Sequence, residues 1–412
     1  MKQNSAPDDR EVTVKPWMID ADNHYYEAED AFTRHGGPDV KAFVRWISEG
    51  RKRHVMFGTS LSTSLPNPTF DPIALPGVFQ DRLQELESGS GDRALSRMDK
   101  RRYGELVPIS PAYRDREARL DVMDQQGLER CLLFPTLGVG VEGLMSRDLE
   151  MTYKVFHAFN LWLEEDWGFA YRNRLYAAPH IALLDPELAA KELDDVLARG
   201  ARFVEVRPGP ANGRSPADPV WDPFWARVNE AEIVVAYHAS AGPDDYDRAF
   251  TLLWERQQVS DLGYQATLAS ALRDSRGILD TVIALTLGNL FGRFPKVRIA
   301  SVELGCAWVP YCLHVLDHAG TLLNREIRAF GTTVKDRPSD IFRERVSVSP
   351  FPEEDVRALI DVIGADRVLF GSDWPHPEGN KSPKDYTSCL EGCSDDVIRK
   401  VMRDNALCLM GG

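Results

Sequence analysis

The chain has 412 residues with 63 acidic against 49 basic side chains, a formal net charge of −14. That acidic surplus argues against a nucleic-acid scaffold, because phosphate binding wants clustered Lys and Arg, and no apolar run approaches the roughly 18 residues of a membrane span. A hydrophobic share of 43 % suits a large globular domain with a generous core, and the first residues carry no apolar leader stretch, so a cytoplasmic protein is expected.

Residues 1–15 read as a flexible tail and residues 16–412 as a single domain. The six cysteines, Cys131, Cys306, Cys312, Cys389, Cys393 and Cys408, form no paired CxxC set. Neither a disulfide framework nor a thiolate metal site is expected from them. In chain order, short β-rich runs alternate with amphipathic helical stretches. The predicted strands are Trp17–Asp22, Arg130–Pro135, Leu175–Ile181, Arg202–Val206, Ile233–His238, Val297–Glu303, Arg345–Ser349 and Val368–Asp373. Between them fall helical patterns at Arg116–Gln126, Met151–Tyr171, Pro186–Arg199, Asp222–Ala231, Ile278–Phe294, Pro310–Phe330 and Glu353–Ile363. Asp185-Pro186 supplies an N-cap followed by proline at the first helical position, and Gly200 closes that helix. Eight strands alternating with helices predict an α/β fold, a parallel (β/α)₈ TIM barrel.

Two segments break the alternation. Residues 28–114, rich in Gly, Pro, Ser and Thr, read as a long insertion after the first strand that packs over the barrel mouth. Its basic run Arg51-Lys52-Arg53-His54 reads as a solvated loop. The stretch Ala241–Arg276, after the fifth strand, belongs to the same mouth.

The ionisable residues fall where barrel enzymes place their chemistry, at the C-terminal ends of strands. The first strand ends in Asp20-Ala21-Asp22-Asn23-His24, and its alternation lets Asp22 and His24 face the axis together. The third carries His180 near its end, the fifth ends on His238, and the sixth on Glu303. The eighth ends on Asp373, with His376 three residues later. Taken singly, a rim histidine or an Asp before Trp-Pro is an ordinary structural residue. The joint pattern is what predicts a metal site. Arg207, just past the fourth strand, is a candidate for a substrate carboxylate, with a structural ion pair as the plain alternative. His314 and His318 share a helix face and are expected to pack locally.

The run Val368-Leu369-Phe370-Gly371-Ser372-Asp373-Trp374-Pro375-His376-Pro377 resembles the final strand of the amidohydrolase superfamily, with its metal-binding Asp. Val234-Val235-Ala236-Tyr237-His238 is similar to the segment that supplies the family's fifth-strand His ligand. Phe294-Pro295-Lys296-Val297 also fits. The resemblance runs from about Trp17 to Leu409 and is to the branch related to aminocarboxymuconate semialdehyde decarboxylase. It implies a metal-dependent enzyme. Two departures stand out: Asp22-Asn23-His24 replaces the family's His-x-His, and Glu303 stands where a sixth-strand His is usual. Hard oxygen donors mixed with imidazoles suit iron or manganese as well as zinc.

With Asp22, His24, His180, His238, Glu303, Asp373 and His376 as donors, two bridged divalent ions are the economical expectation, iron or iron with manganese. The site composition then resembles the superfamily's dinuclear non-haem iron hydroxylases, such as those of platensimycin-type diterpenoid biosynthesis. The favoured expectation is therefore an O₂-dependent hydroxylase of a bulky, partly apolar small molecule. The alternative is a hydrolase or non-oxidative decarboxylase on zinc, with Asp373 or Glu303 as its base. The expected partner in either case is a small molecule, with self-association into a homo-oligomer left open. A non-catalytic barrel serving as a partner subunit is the remaining alternative.

Overall fold

The computed structural model describes residues 17–411 apart from 51, 66, 82–105, 241–274 and 323–333. The tail and most of the Ala241–Arg276 stretch lie outside the described residues, as does part of the 28–114 insertion. Seven parallel strands carry the barrel: β1 (Met18–His24), β2 (Leu128–Phe134), β3 (Leu175–Ala177), β4 (Phe203–Val206), β5 (Val234–His238), β6 (Arg298–Val302) and β7 (Val346–Val348). They pair in the order β1-β2-β3 and β4-β5-β6-β7. A bridge between His180 and Glu205 joins the two halves.

The eighth position is occupied by residues 368–370, predicted as a strand and found as an extended segment. It closes the barrel through Leu369 N–H to Val348 O and Ala21 N–H to Phe370 O. Its continuation bonds Asp373 N–H to Asp22 O and His24 N–H to Trp374 O. The first and last ligand-bearing segments are thus tied backbone to backbone.

Alternation sorts the strands into two faces. In β5, Val234 and Ala236 point to the barrel interior with Ile19, Leu132, Phe203, Ala300 and Leu369, while Val235 and Tyr237 face the surrounding helices. Such continuous apolar runs are what a parallel sheet buried on both sides demands. His238 continues the inward parity of Val234 and Ala236, so the same pattern that fills the barrel places its imidazole at the barrel end.

The helices fall close to their predicted places. Asp185 caps Pro186–Ala198 by accepting from Glu187 N–H and Leu188 N–H, and Gly200 follows with φ of 96°. The pattern at Ile278–Phe294 divides into Arg276–Leu287 and Leu290–Arg293, because Asn289 turns the chain at φ 54°. Among the described residues no helix is long and apolar enough to cross a membrane, and all six cysteines are free thiols.

One expectation about the insertion is corrected. Lys52–Phe57 is a strand, antiparallel to Val44–Glu49, and not a solvated loop. Arg53 lies over the Trp46 ring and donates to Glu29, which gives the basic run a structural partner. The described part of the insertion lies against the loop after Asp373, through Phe79 N–H to Pro377 O and Gln80 to Asn380.

The Asp185 cap gives a stability test away from the barrel end. Asp185→Ala removes the acceptor for two helix-start N–H groups and is expected to cost about 1 kcal/mol. Urea denaturation checks the value, with metal binding unchanged.

Candidate metal centre

Six of the seven predicted ligands meet at the C-terminal end of the barrel. Asp22, His24, His238 and Glu303 form one group, and His24, Glu303, Asp373 and His376 a second, with the donor atoms of each group all within 4.8 Å of one another. His24 Nε2 is 3.3 Å from Asp22 Oδ1, 3.3 Å from Asp373 Oδ1 and 3.5 Å from Glu303 Oε2. His238 Nε2 is 3.1 Å from Glu303 Oε2. His376 Nδ1 lies 2.6 Å from Asp373 Oδ1, and its ring lies 3.9 Å from that of His24.

The backbone helps aim two of these groups. Glu303 and Asp373 both sit at φ 53°, in the left-handed region. A non-glycine residue held there is strained by roughly 1–3 kcal/mol. Glu303 follows the inward-facing Val302, so alternation alone would turn it outward, whereas Asp373 keeps the inward parity of Leu369.

The fit to a divalent ion rests on which atoms lack partners. Asp22 Oδ1, His24 Nε2, His238 Nε2, Asp373 Oδ1 and His376 Nδ1 are buried and have no hydrogen-bond partner. Each such group costs about 1–3 kcal/mol if nothing satisfies it. The other nitrogen of each ring is already committed. His24 Nδ1 donates to Pro135 O, and His238 Nδ1 to Ala239 O. Thr136 Oγ1 gives its one hydrogen to Tyr25 O, so His376 Nε2 donates to Thr136 Oγ1. All three rings therefore turn a bare nitrogen to the same place, the arrangement expected of metal-binding histidines.

Two carboxyls in the cluster are pushed in opposite directions. Burial raises Asp373, and the charges on Glu303 and Asp22 raise it further, well above the ordinary carboxylate range. Burial also acts upward on Glu303, but the nearby imidazoles of His238 and His24 outweigh it and hold the group well below that range.

The structure places His180 apart from this cluster. Its Nδ1 bonds Glu205, and its Nε2 lies 2.8 Å from Glu142 Oε2, so both ring nitrogens face carboxylates. Burial pushes this imidazole down, but the Glu205 charge and the bonds to Glu142 and Glu205 lift it to about 10. Arg207 lies half-buried just past β4. His314 and His318 stack on each other with ring centres 6.1 Å apart, exposed on the helix Val309–Leu322.

Several residues around the site escaped the sequence reading. Glu27 accepts from the N–H groups of Thr136, Leu137 and Gly138, fixing the loop that holds Thr136 against His376. Arg119, wholly buried, reaches the His24 carbonyl. In sequence Arg119 is one charge among many on an amphipathic helix. Asp20 shares the parity of Asp22 and His24, which was the one signal available for it.

The sequence matches the Amidohydrolase family over residues 91–411. It is 39 % identical to the amidohydrolase map2389c of Mycobacterium avium subsp. paratuberculosis K-10, whose crystal structure covers 97 % of this chain and 99 % of its own, with a TM-score of 0.85. It is 26 % identical over 304 residues to the γ-resorcylate decarboxylase of Rhizobium sp. (strain MTP-10005), covering 70 % of this chain and 85 % of the relative. The dihydroxybenzoic acid decarboxylase of Polaromonas sp. JS666, solved with manganese and the inhibitor 2-nitroresorcinol, shares the fold. It is 19 % identical over 96 % of this chain and 97 % of its own, with a TM-score of 0.56.

These decarboxylase relatives overturn the hydroxylase expectation, and with it the assignment as an iron oxidoreductase or monooxygenase. The physical reason is that carboxylates at Asp22 and Glu303 are hard donors that bind redox-silent and redox-active ions alike. Their exchange for histidine carries no statement about dioxygen.

Two substitutions separate the cluster from the His180 pair. His238→Ala is expected to lower bound divalent metal at least tenfold by elemental analysis, while His180→Gln leaves it unchanged. His180 instead governs a pH effect. Its folded value of about 10 exceeds an unfolded value near 6.5. Its stabilisation is therefore complete below pH 6.5 and lost as the pH rises through 10. Urea denaturation at pH 6 and pH 10 should show this loss in the parent protein, and a smaller one in His180→Gln.

Proposed function

This chain belongs to the amidohydrolase family, and from that premise we propose that it is a metal-dependent, non-oxidative decarboxylase of a small aromatic carboxylate. The observation that carries the reading is the convergence of five unpartnered buried donor atoms on one place. The relatives that act on γ-resorcylate and dihydroxybenzoate support hydroxybenzoates as the first substrate class to test.

In this reaction the bond between the ring carbon and the carboxylate breaks, carbon dioxide leaves, and a proton takes its place on carbon. Asp22, His24, His238 and Glu303 would hold the ion. A bound divalent ion supplies Lewis-acid polarisation of substrate oxygens and neutralises their charge. Asp373, whose Oδ1 lies 2.6 Å from His376 Nδ1, is the carboxyl proposed to supply the proton. Glu303 stays anionic and occupies the place of the histidine usual in the family. Arg207, past β4, is the side chain proposed to receive the substrate carboxylate.

The second donor group, His24, Glu303, Asp373 and His376, favours a second reading in which two ions would be held, with His24 and Glu303 common to both groups. Asp373 would then be a ligand and not the proton holder. Metal stoichiometry of one or two per chain separates the readings, and in the second Glu303→Ala lowers two ions to one.

Manganese-loaded protein is expected to release carbon dioxide from an ortho-hydroxylated benzoate at the same rate with and without oxygen. In D₂O, one deuterium should appear at the carbon that lost the carboxylate. Glu303→Gln is expected to lower kcat by about 10²-fold or more. Fully metal-loaded protein that releases no carbon dioxide from any member of a hydroxybenzoate panel would sink the proposal.

A further inference from the structure

Beneath the metal centre lies a chain of buried polar side chains that the proposed chemistry leaves unused. Arg119 is wholly buried, between the rings of Trp167 and Trp374 at 5.3 and 4.7 Å. Its hydrogen bonds go to Ala112 O at 2.7 Å, Asn23 Oδ1 at 2.5 Å and His24 O at 2.7 Å. Taking a cation out of water costs several kcal/mol, and none of these three acceptors is a carboxylate.

Its charge reaches an anion through an amide. Asn23 Oδ1 accepts from the guanidinium, and Asn23 Nδ2 donates to Asp20 Oδ2 at 3.0 Å. A guanidinium can only donate and a carboxylate can only accept, so this orientation of Asn23 is the one that satisfies both. Asp20 is then filled on both oxygens. Oδ2 also accepts from Ser372 Oγ at 2.5 Å, while Oδ1 accepts from Ser372 N–H at 2.9 Å and Asp22 N–H at 3.1 Å. Ser372 Oγ in turn accepts from Trp374 N–H at 3.1 Å.

Every link in this chain ends next to a candidate ligand. Arg119 holds the carbonyl of His24, Asp20 holds the N–H of Asp22, and Ser372 precedes Asp373. We infer that Arg119, Asn23, Asp20 and Ser372 form a positioning array that sets the spacing between the β1 donors Asp22 and His24 and the eighth-position carboxylate Asp373. The inference rests on the metal-dependent reading and deepens it, since it names side chains that tune the ion without touching it. Groups that orient metal ligands in this way commonly change affinity by 10–100-fold when removed. The competing account is that Arg119 merely fills space between two tryptophans.

Manganese titration followed by electron paramagnetic resonance tests the array without reference to turnover. Ser372→Ala deletes the bond from Oγ to Asp20 and little volume. Arg119→Met fills the space between the tryptophans without the charge or the fork, and Arg119→Lys keeps the charge. The array requires that Ser372→Ala and Arg119→Met each weaken manganese binding at least tenfold and alter the bound-ion spectrum, with Arg119→Lys recovering part of the loss. Melting of the metal-free proteins shows which variants are folded at the assay temperature. Should Arg119→Met fail to fold, Ser372→Ala decides alone. Folded variants with parental affinity and spectrum overturn the inference in favour of the space-filling account, as does a parent protein that binds no manganese. A parent that binds manganese tightly but releases no carbon dioxide removes the decarboxylase reading and leaves the array to be judged on its affinities.

Discussion

Three carboxylates and three imidazoles crowded into one buried place impose the main electrostatic constraint on this molecule. Carboxylates whose donor atoms lie within 4.8 Å of one another repel in a poorly solvated site, and five of the inward-facing atoms have no hydrogen bond to relieve them. A cation at the centre resolves both problems at once. The surroundings are arranged to keep that place ready for one. The outward nitrogen of each ring is bonded to a carbonyl or a hydroxyl, and two carboxylates sit on strained left-handed residues.

The barrel makes this crowding affordable. Its interior is filled with Ile19, Leu132, Phe134, Phe203 and Leu369, all essentially buried, and each large apolar side chain so placed contributes roughly 1.5–3 kcal/mol. Local strain and unsatisfied polar groups are concentrated at the strand ends, where the closing hydrogen bonds between β1 and the eighth position hold them. Arg119, Asn23, Asp20 and Ser372 run directly under that seam.

The change of activity class from the expectation has a chemical lesson. Counting donors along the sequence gave seven ligands and so two ions with redox chemistry. One of the seven, His180, is engaged by Glu142 and Glu205, and the remaining six form two overlapping donor groups. Oxygen and nitrogen donors limit which metals bind, but donor type alone does not select the reaction.

The sequence by itself determined the barrel. Apolar runs of strand length, helices between them and the Asp185-Pro186 cap are local signals, and alternation let Asp22 and His24 face the axis together. It also placed Asp22, His24, Glu303, Asp373 and His376 at strand ends, because a parallel barrel brings those ends together whatever its loops do. Only the tertiary structure decided that His180 faces Glu142 and Glu205. Those partners lie 38 and 25 residues away along the chain, and nothing in the third strand announces them. It alone revealed the Asp20–Asn23–Arg119 chain as well, because Arg119 meets Asn23 across 96 residues. Parity and period report which face a side chain takes, but the partner it finds there depends on which distant segment the closed barrel brings against it.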